Sequence, residues 1–283
     1  MPIQKTIDSW RSYIRKFCAF LGHDDAARMT GADVVRWKDS LVSSGLSAST
    51  INNKHMSALR VALGYGKDNR KLPDNVALGV SALAPRRGGP KKRGYTDGEA
   101  LTVLSAARKF TGWRRWLVFI VAYTGARVSE PADAMADDIK VSPEGVPFID
   151  LTERVLKNDS SPRRIPLHPR LIAEGFLEYA QGLPRGGPLF PDCPPSATYQ
   201  LRGATASKVI ARWVRNDLGI KDTRIQPSHA WRHRMATLHR NAAIPEDASR
   251  YLRGYADQDD ADHYGTHSLV MLAAHMAKIP AQG

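Results

Sequence analysis

Apolar residues recur at three- and four-residue spacing from the start of the chain. Ile7, Trp10, Tyr13, Ile14, Phe17 and Leu21 line one helical face, and Gly22 is placed to stop it. A second helix is predicted after Thr30, carrying Val34, Val35, Trp37 and Leu41 and ending at Gly45. A third is predicted over 49–63, with Ser49 or Thr50 as N-cap and Lys54, His55 and Arg60 on one face. The periodicity then stops. Residues 84–94 hold two prolines, three glycines and five basic residues, the composition of a linker. Thr96 and Glu99 form a capping-box signature for a helix bearing Leu101, Val103, Leu104 and Ala107. Residues 113–123 are almost wholly apolar, which predicts a buried helix.

Between residues 146 and 168 the period changes. Phe148, Ile149, Leu151, Val155 and Leu156 precede the polar stretch 157–162, and Arg164, Ile165 and Leu167 follow it. This predicts a small β-hairpin or sheet. Leu171 to Tyr179 is helical again, residues 186–195 form a surface loop, and from Ser207 the pattern is helical to the end, broken at Pro227, Pro245 and around Gly254. The predicted fold class is mainly α with a small β-sheet. It comprises a helical N-terminal domain over 1–85, a basic linker over 86–95 and a mixed α+β domain over 96–283.

Charge sharpens this division. The 283 residues contain 41 Lys+Arg and 28 Asp+Glu, a formal net charge of +13. Residues 1–95 alone carry 17 basic and 7 acidic residues. A basic N-terminal third fits either a polyanionic partner such as nucleic acid or a solubilising surface. Lys54, Arg60, Arg86, Arg87, Lys91, Lys92 and Arg93 are the candidate phosphate-contacting residues. The longest apolar run, residues 116–123, is far too short to span a membrane, and the first ten residues lack the apolar core of a secretory signal. The expected location is cytoplasmic, on the nucleoid when DNA is bound. Cys18 and Cys193 form no CxxC pair, so neither a disulfide framework nor a cysteine zinc site is supported.

Four short segments carry candidate chemistry. In Thr124-Gly125-Ala126-Arg127-Val128-Ser129-Glu130, Arg127 stands near a helix start, with Glu130 three residues on to orient it. Lys157 falls at the tip of the predicted hairpin. In His229-Ala230-Trp231-Arg232-His233, His229 and Arg232 share a helical face. The two histidines have the spacing of a zinc HExxH motif, but Ala230 occupies the place of its general-base glutamate. Tyr264 lies in the polar segment that follows Gly254-Tyr255.

Taken in order, these segments resemble the tyrosine recombinase (phage integrase) family. Its catalytic domain has an arginine in a TGxRxxE context, a hairpin lysine, an HxxR box, a Gly-His or Gly-Trp element and a nucleophilic tyrosine. Arg127, Lys157, His229 with Arg232, Tyr255 and Tyr264 match these in order, and the basic helical third is similar to the family's core-binding domain. Two departures stand out: Tyr255 replaces the usual His or Trp, and Pro131 follows Glu130 where leucine is usual.

The resemblance implies a site-specific DNA recombinase working through a covalent 3′-phosphotyrosine. Arg127 and Arg232 would clamp the phosphate oxygens, Tyr264 would attack phosphorus with His229 taking or relaying its proton, and Lys157 would protonate the leaving 5′ oxygen. No cofactor or metal is implied, and the bond energy retained in the phosphotyrosine makes ATP unnecessary. Double-stranded DNA with specific crossover sites is the implied partner, with accessory DNA-bending proteins as further partners. The apolar face of Leu269, Leu272, Met276 and Ile279 fits either a helix that docks on a neighbouring protomer of a homotetramer or one that docks on its own domain. The alternatives are type IB topoisomerase-like relaxation and a DNA-binding relative without catalysis, the latter favoured by Tyr255.

Overall fold

Helix α1 (Gln4–Leu21) buries Phe17 and ends at Gly22, whose φ of +77° suits a residue without a side chain. Helix α2 (Gly31–Ser43) opens on a capping box between Thr30 and Asp33 and is followed by Gly45 at φ +82°. The third helical stretch starts earlier than predicted. Ser47, not Ser49 or Thr50, is the cap, its hydroxyl accepting from the Thr50 amide at 3.1 Å. α3 (Ala48–Thr50) continues through a π-wound segment, Ile51–Met56, into α4 (Ser57–Asp68). A π turn adds a residue per turn and rotates the faces beyond it. His55 is accordingly not on a basic outer face: it is buried, 4.5 Å from the Tyr13 ring and 5.4 Å from that of Trp37.

The structure is a computed structural model that describes residues 4–83, 91–152, 162–197, 201–255 and 267–282. The backbone divides into two units, Met1–Gly89 and Pro90–Gly283. In the first, Phe17, Trp37, Ile51, Met56, Leu59 and Leu63 form the core. The segment after α4 is strapped to it: Asn52 exchanges two hydrogen bonds with the Ala82 backbone, and Arg60 donates to the Val80 carbonyl at 3.2 Å.

In the second unit, α5 (Asp97–Ala107) starts at the predicted Thr96–Glu99 capping box. α6 (Gly112–Thr124) is buried from Trp116 to Thr124 and forms the axis of the core. α7 (Ser129–Ala132) is a single turn, so Pro131 forfeits no internal helical hydrogen bond. β1 (Ile139–Val141), β2 (Pro147–Asp150) and β3 (Arg164–Pro166) form an antiparallel sheet in that order, with Ile149 opposite both Ile139 and Ile165. β1 was not predicted, because three residues are too few to show a period of two. The helix predicted over 171–179 is two helices, α8 (Pro169–Ala173) and α9 (Phe176–Gln181), broken at Gly175 with φ +90°.

α10 (Arg202–Asn216), α11 (Pro227–Asn241), α12 (Glu246–Arg253) and α13 (Leu269–Ala277) complete the unit. Pro227 and Pro245 stand at helix starts, where their missing amides cost nothing. Of the predicted face of α13, Leu272, Met276 and Ile279 are buried in the core of the second unit. Among the described residues no helix is long and apolar enough to cross a membrane.

Candidate active site

The site begins where α6 ends. Gly125 takes a left-handed φ of +67°, and a Cβ there would stand 2.9 Å from the Met235 side chain, so the turn has little room for another residue. The turn leads into Arg127, whose side chain keeps 29% exposure. Glu130, one turn on, accepts from the Arg127 amide at 2.8 Å and from Arg127 Nη1 at 3.0 Å. The same carboxylate accepts from Arg163 Nη2 at 2.8 Å. Arg163 is 1% exposed and also donates from Nε to the Leu252 carbonyl at 3.1 Å. Burial alone would raise the Glu130 pKa, but the charge and hydrogen bond of Arg163, then the Arg127 bonds, hold it below the usual glutamate range.

Helix α11 brings in the second arginine. Arg232 is only 2% exposed and donates to the carbonyls of Gly125, Arg253 and Gly254. The Gly254 carbonyl also accepts from Arg127 Nη1 at 3.0 Å, so one backbone oxygen joins the two arginines. Gly254 fits for two reasons: its φ is +66°, and a Cβ would stand 2.3 Å from Arg163 Nη1. Burial lowers the Arg232 pKa, against a hydrogen bond with Tyr255 that raises it. Tyr255, 41% exposed, lies over Arg232 with 4.2 Å from guanidinium carbon to ring centroid. Partial burial would raise its phenol pKa, but the Arg232 hydrogen bond and the charges of Arg232, Arg253 and Arg127 bring it below the ordinary value.

His229 stands one turn before Arg232, its ring 5.2 Å from that of His233. Desolvation lowers its pKa first, followed by the charges of His233, Arg232 and Arg127. At neutral pH the imidazole is therefore uncharged and able to accept a proton. Among the described residues no third donor joins the two histidines in a metal-binding group.

Residues 4–65 match the family model "Phage integrase, N-terminal SAM-like domain". Solved structures match over nearly the whole chain. The Tn1549 transposon integrase in complex with transposon right-end DNA superposes with a TM-score of 0.66 at 18% identity, covering 97% of this chain and 93% of that one. The chain has the tyrosine-recombinase fold of the phage integrases. A lambda integrase (75–356) dimer bound to a COC′ core site matches with a TM-score of 0.64 at 16% identity, covering 98% of this chain and 89% of that one. A lambda integrase tetramer bound to a Holliday junction matches with a TM-score of 0.66 at 18% identity, covering 92% and 74%. No curated protein sequence matches the chain significantly.

On this integrase fold the structure gathers Arg127, Glu130, His229, Arg232 and Tyr255 at one place. Lys157, Tyr264, Arg86 and Arg87 lie outside the described residues. Of the remaining basic candidates, Lys54 is exposed and Arg60 is tied to the Val80 carbonyl. Lys92 donates to the Thr223 carbonyl at 3.0 Å. Arg93 is held by Glu99 and Asp222, which commits its guanidinium to the second unit. Sequence reasoning missed Arg163 and Arg253. Both sit at the ends of short elements where no periodicity signals burial, and the adjacent pairs Pro162-Arg163 and Arg253-Gly254 were the only local cues.

Proposed function

We propose that the chain is a site-specific DNA recombinase that cuts and rejoins DNA strands through a covalent 3′-phosphotyrosine. The observation that carries this is the convergence of Arg127 and Arg232, from elements more than 100 residues apart, on the single Gly254 carbonyl. His229 stands one turn away with its pKa depressed. Two guanidiniums held in advance suit a phosphate that gains negative charge in its transition state, and such fixed charge is commonly the largest catalytic contribution.

In the reaction the phenol oxygen of Tyr264 attacks phosphorus and its proton passes toward His229. The bond from phosphorus to the 5′ oxygen breaks, and Lys157 gives that oxygen its proton. Attack by a 5′ hydroxyl reverses these steps, releases Tyr264 and restores a phosphodiester, so the strand is rejoined without ATP. Glu130 is an orienting residue that fixes Arg127. Double-stranded DNA carrying crossover sites is the partner, and paired cutting is carried out by a homotetramer.

Covalent trapping tests this. The protein and its Tyr264→Phe variant are incubated with nicked DNA from the flanks of the gene, and denaturant-resistant adducts are mapped by peptide mass spectrometry. An adduct on Tyr264 that the variant lacks supports the reading. The accessible, arginine-flanked phenol of Tyr255 gives one specific second reading, that Tyr255 is the nucleophile. An adduct there would select it, and absence of any adduct on bound DNA would favour a non-catalytic DNA-binding protein.

A further inference from the structure

Arg253 does something the phosphate clamp does not explain. Its side chain is only 8% exposed, yet its guanidinium carbon lies 5.0 Å from the centroid of the half-exposed Tyr255 ring. Tyr255 is thus flanked by two cations, Arg232 and Arg253. Like charges repel, and an electron-rich ring in contact with both reduces that cost while being held by them.

Arg253 is itself anchored. Its Nε donates to the Ser249 carbonyl at 3.0 Å and its Nη2 to Ser249 Oγ at 3.0 Å, with Glu246 at 3.5 Å. Ser249 Oγ, which accepts from Arg253, also shares a hydrogen bond with His239 Nδ1, 2.9 Å away. His239 is fully buried, and burial followed by the Arg253 and His275 charges pushes its pKa down to about 4, so the ring stays neutral and able to accept. The bonds therefore run from Arg253 to Ser249 to His239, tying the end of α12 to α11. The Arg253 carbonyl meanwhile accepts from Arg232.

We propose that Arg253 is a positioning residue of the phosphate site: anchored by Ser249 and His239, it holds the Tyr255 ring against Arg232 so that the phenol hydroxyl donates a hydrogen bond to the bound oxyanion. This rests on the proposed function insofar as a phosphate occupies the arginine pair. It assigns Tyr255 a fixed donor role at the place where the resemblance leads one to expect His or Trp, and it assigns that fixing to a side chain that is itself nearly buried.

The test uses the full chain with 13Cζ-labelled tyrosine, the Tyr255 resonance being identified by its loss in Tyr255→Phe. Orthovanadate serves as the phosphate probe. In Arg253→Leu the phenol titration midpoint should rise, and the vanadate affinity read on Tyr255 should weaken roughly tenfold, the scale of one desolvated cation–π contact. Arg253→Lys should recover part of both. Should Arg253→Leu fail to fold, Ser249→Ala removes the hydroxyl part of the anchor alone and should shift the midpoint in the same direction, by less. An unmoved Tyr255 midpoint and unchanged vanadate affinity in a folded variant would overturn the proposal. So would independent, additive losses of vanadate affinity, read by calorimetry, in the Arg253→Leu, Tyr255→Phe double variant. If wild-type protein forms no DNA adduct while vanadate still moves Tyr255 in an Arg253-dependent way, the recombinase reading falls and the positioning role stands.

Discussion

Glu130 is the residue on which two arginines depend. Its carboxylate serves Arg127 at the surface of the site and Arg163 beneath it. Glu130→Gln breaks the buried ion pair between Glu130 and Arg163, a change that typically costs about 3–5 kcal/mol. A clear drop in thermal midpoint, together with loss of strand cleavage, is the expected result. A drop in midpoint with cleavage intact would remove the orienting role. Because the folded-state pKa of Glu130 is depressed, its stabilisation is complete above the ordinary glutamate value and is lost as pH falls below it. The wild-type midpoint should therefore fall with acidification more steeply than that of Glu130→Gln. His229 makes a second pH prediction. With its pKa lowered, it remains neutral somewhat below the ordinary histidine value. Cleavage should then persist through pH 6.5, the reference value for histidine, and decline only below it. A pH–rate profile with its midpoint at or above that value would show that His229 does not set the limb.

At the scale of elements, short pieces carry the site. α7 is one turn long and α12 only eight residues, yet they supply Glu130 and the Gly254 carbonyl. Gly254→Ala meets both a left-handed backbone and the Arg163 guanidinium. The backbone term alone is about 1–2 kcal/mol, and the displaced carbonyl would release both arginines. The variant should lose thermal stability and lose cleavage more completely than DNA affinity. A gel-shift and adduct assay on the same preparation separates the two. The α5 capping box is a simpler case. Thr96→Ala should cost about 1 kcal/mol, measurable by denaturant unfolding, with no effect on the site chemistry. His239 links α11 to α12 as a neutral ring. With a folded value near 4 against 6.5 unfolded, stability should decline as pH falls from 6.5 toward 4, and His239→Gln should flatten that decline.

At the scale of the whole molecule, charge and core are divided between two units. The first has its own buried cluster and most of the net charge. As an isolated fragment, residues 1–89 should fold and bind duplex DNA weakly, with an affinity that falls steeply as salt rises and little dependence on sequence. Filter binding across a salt series checks this, and a salt-independent affinity would contradict it.

The sequence by itself determined a good deal. Helix boundaries at Gly22, Thr30 and Thr96 were legible because caps and left-handed glycines act locally, on the nearest three or four residues. The buried α6 was legible from its unbroken apolar run, and the order Arg127, His229, Arg232, Tyr255 from motif spacing. Other features were decided only by the tertiary structure. The break at Gly175, the strand Ile139–Val141 and the burial of His55 depend on packing partners distant in the chain. So do Arg163 and Arg253: an arginine at the edge of a short element reads as solvated until a carboxylate, a carbonyl or an aromatic ring is brought to it from elsewhere. The apolar face of α13 was visible as a pattern, but a pattern specifies only that a face must be covered. The fold decided that its own core covers it, because Leu272, Met276 and Ile279 find a complementary surface within the same unit.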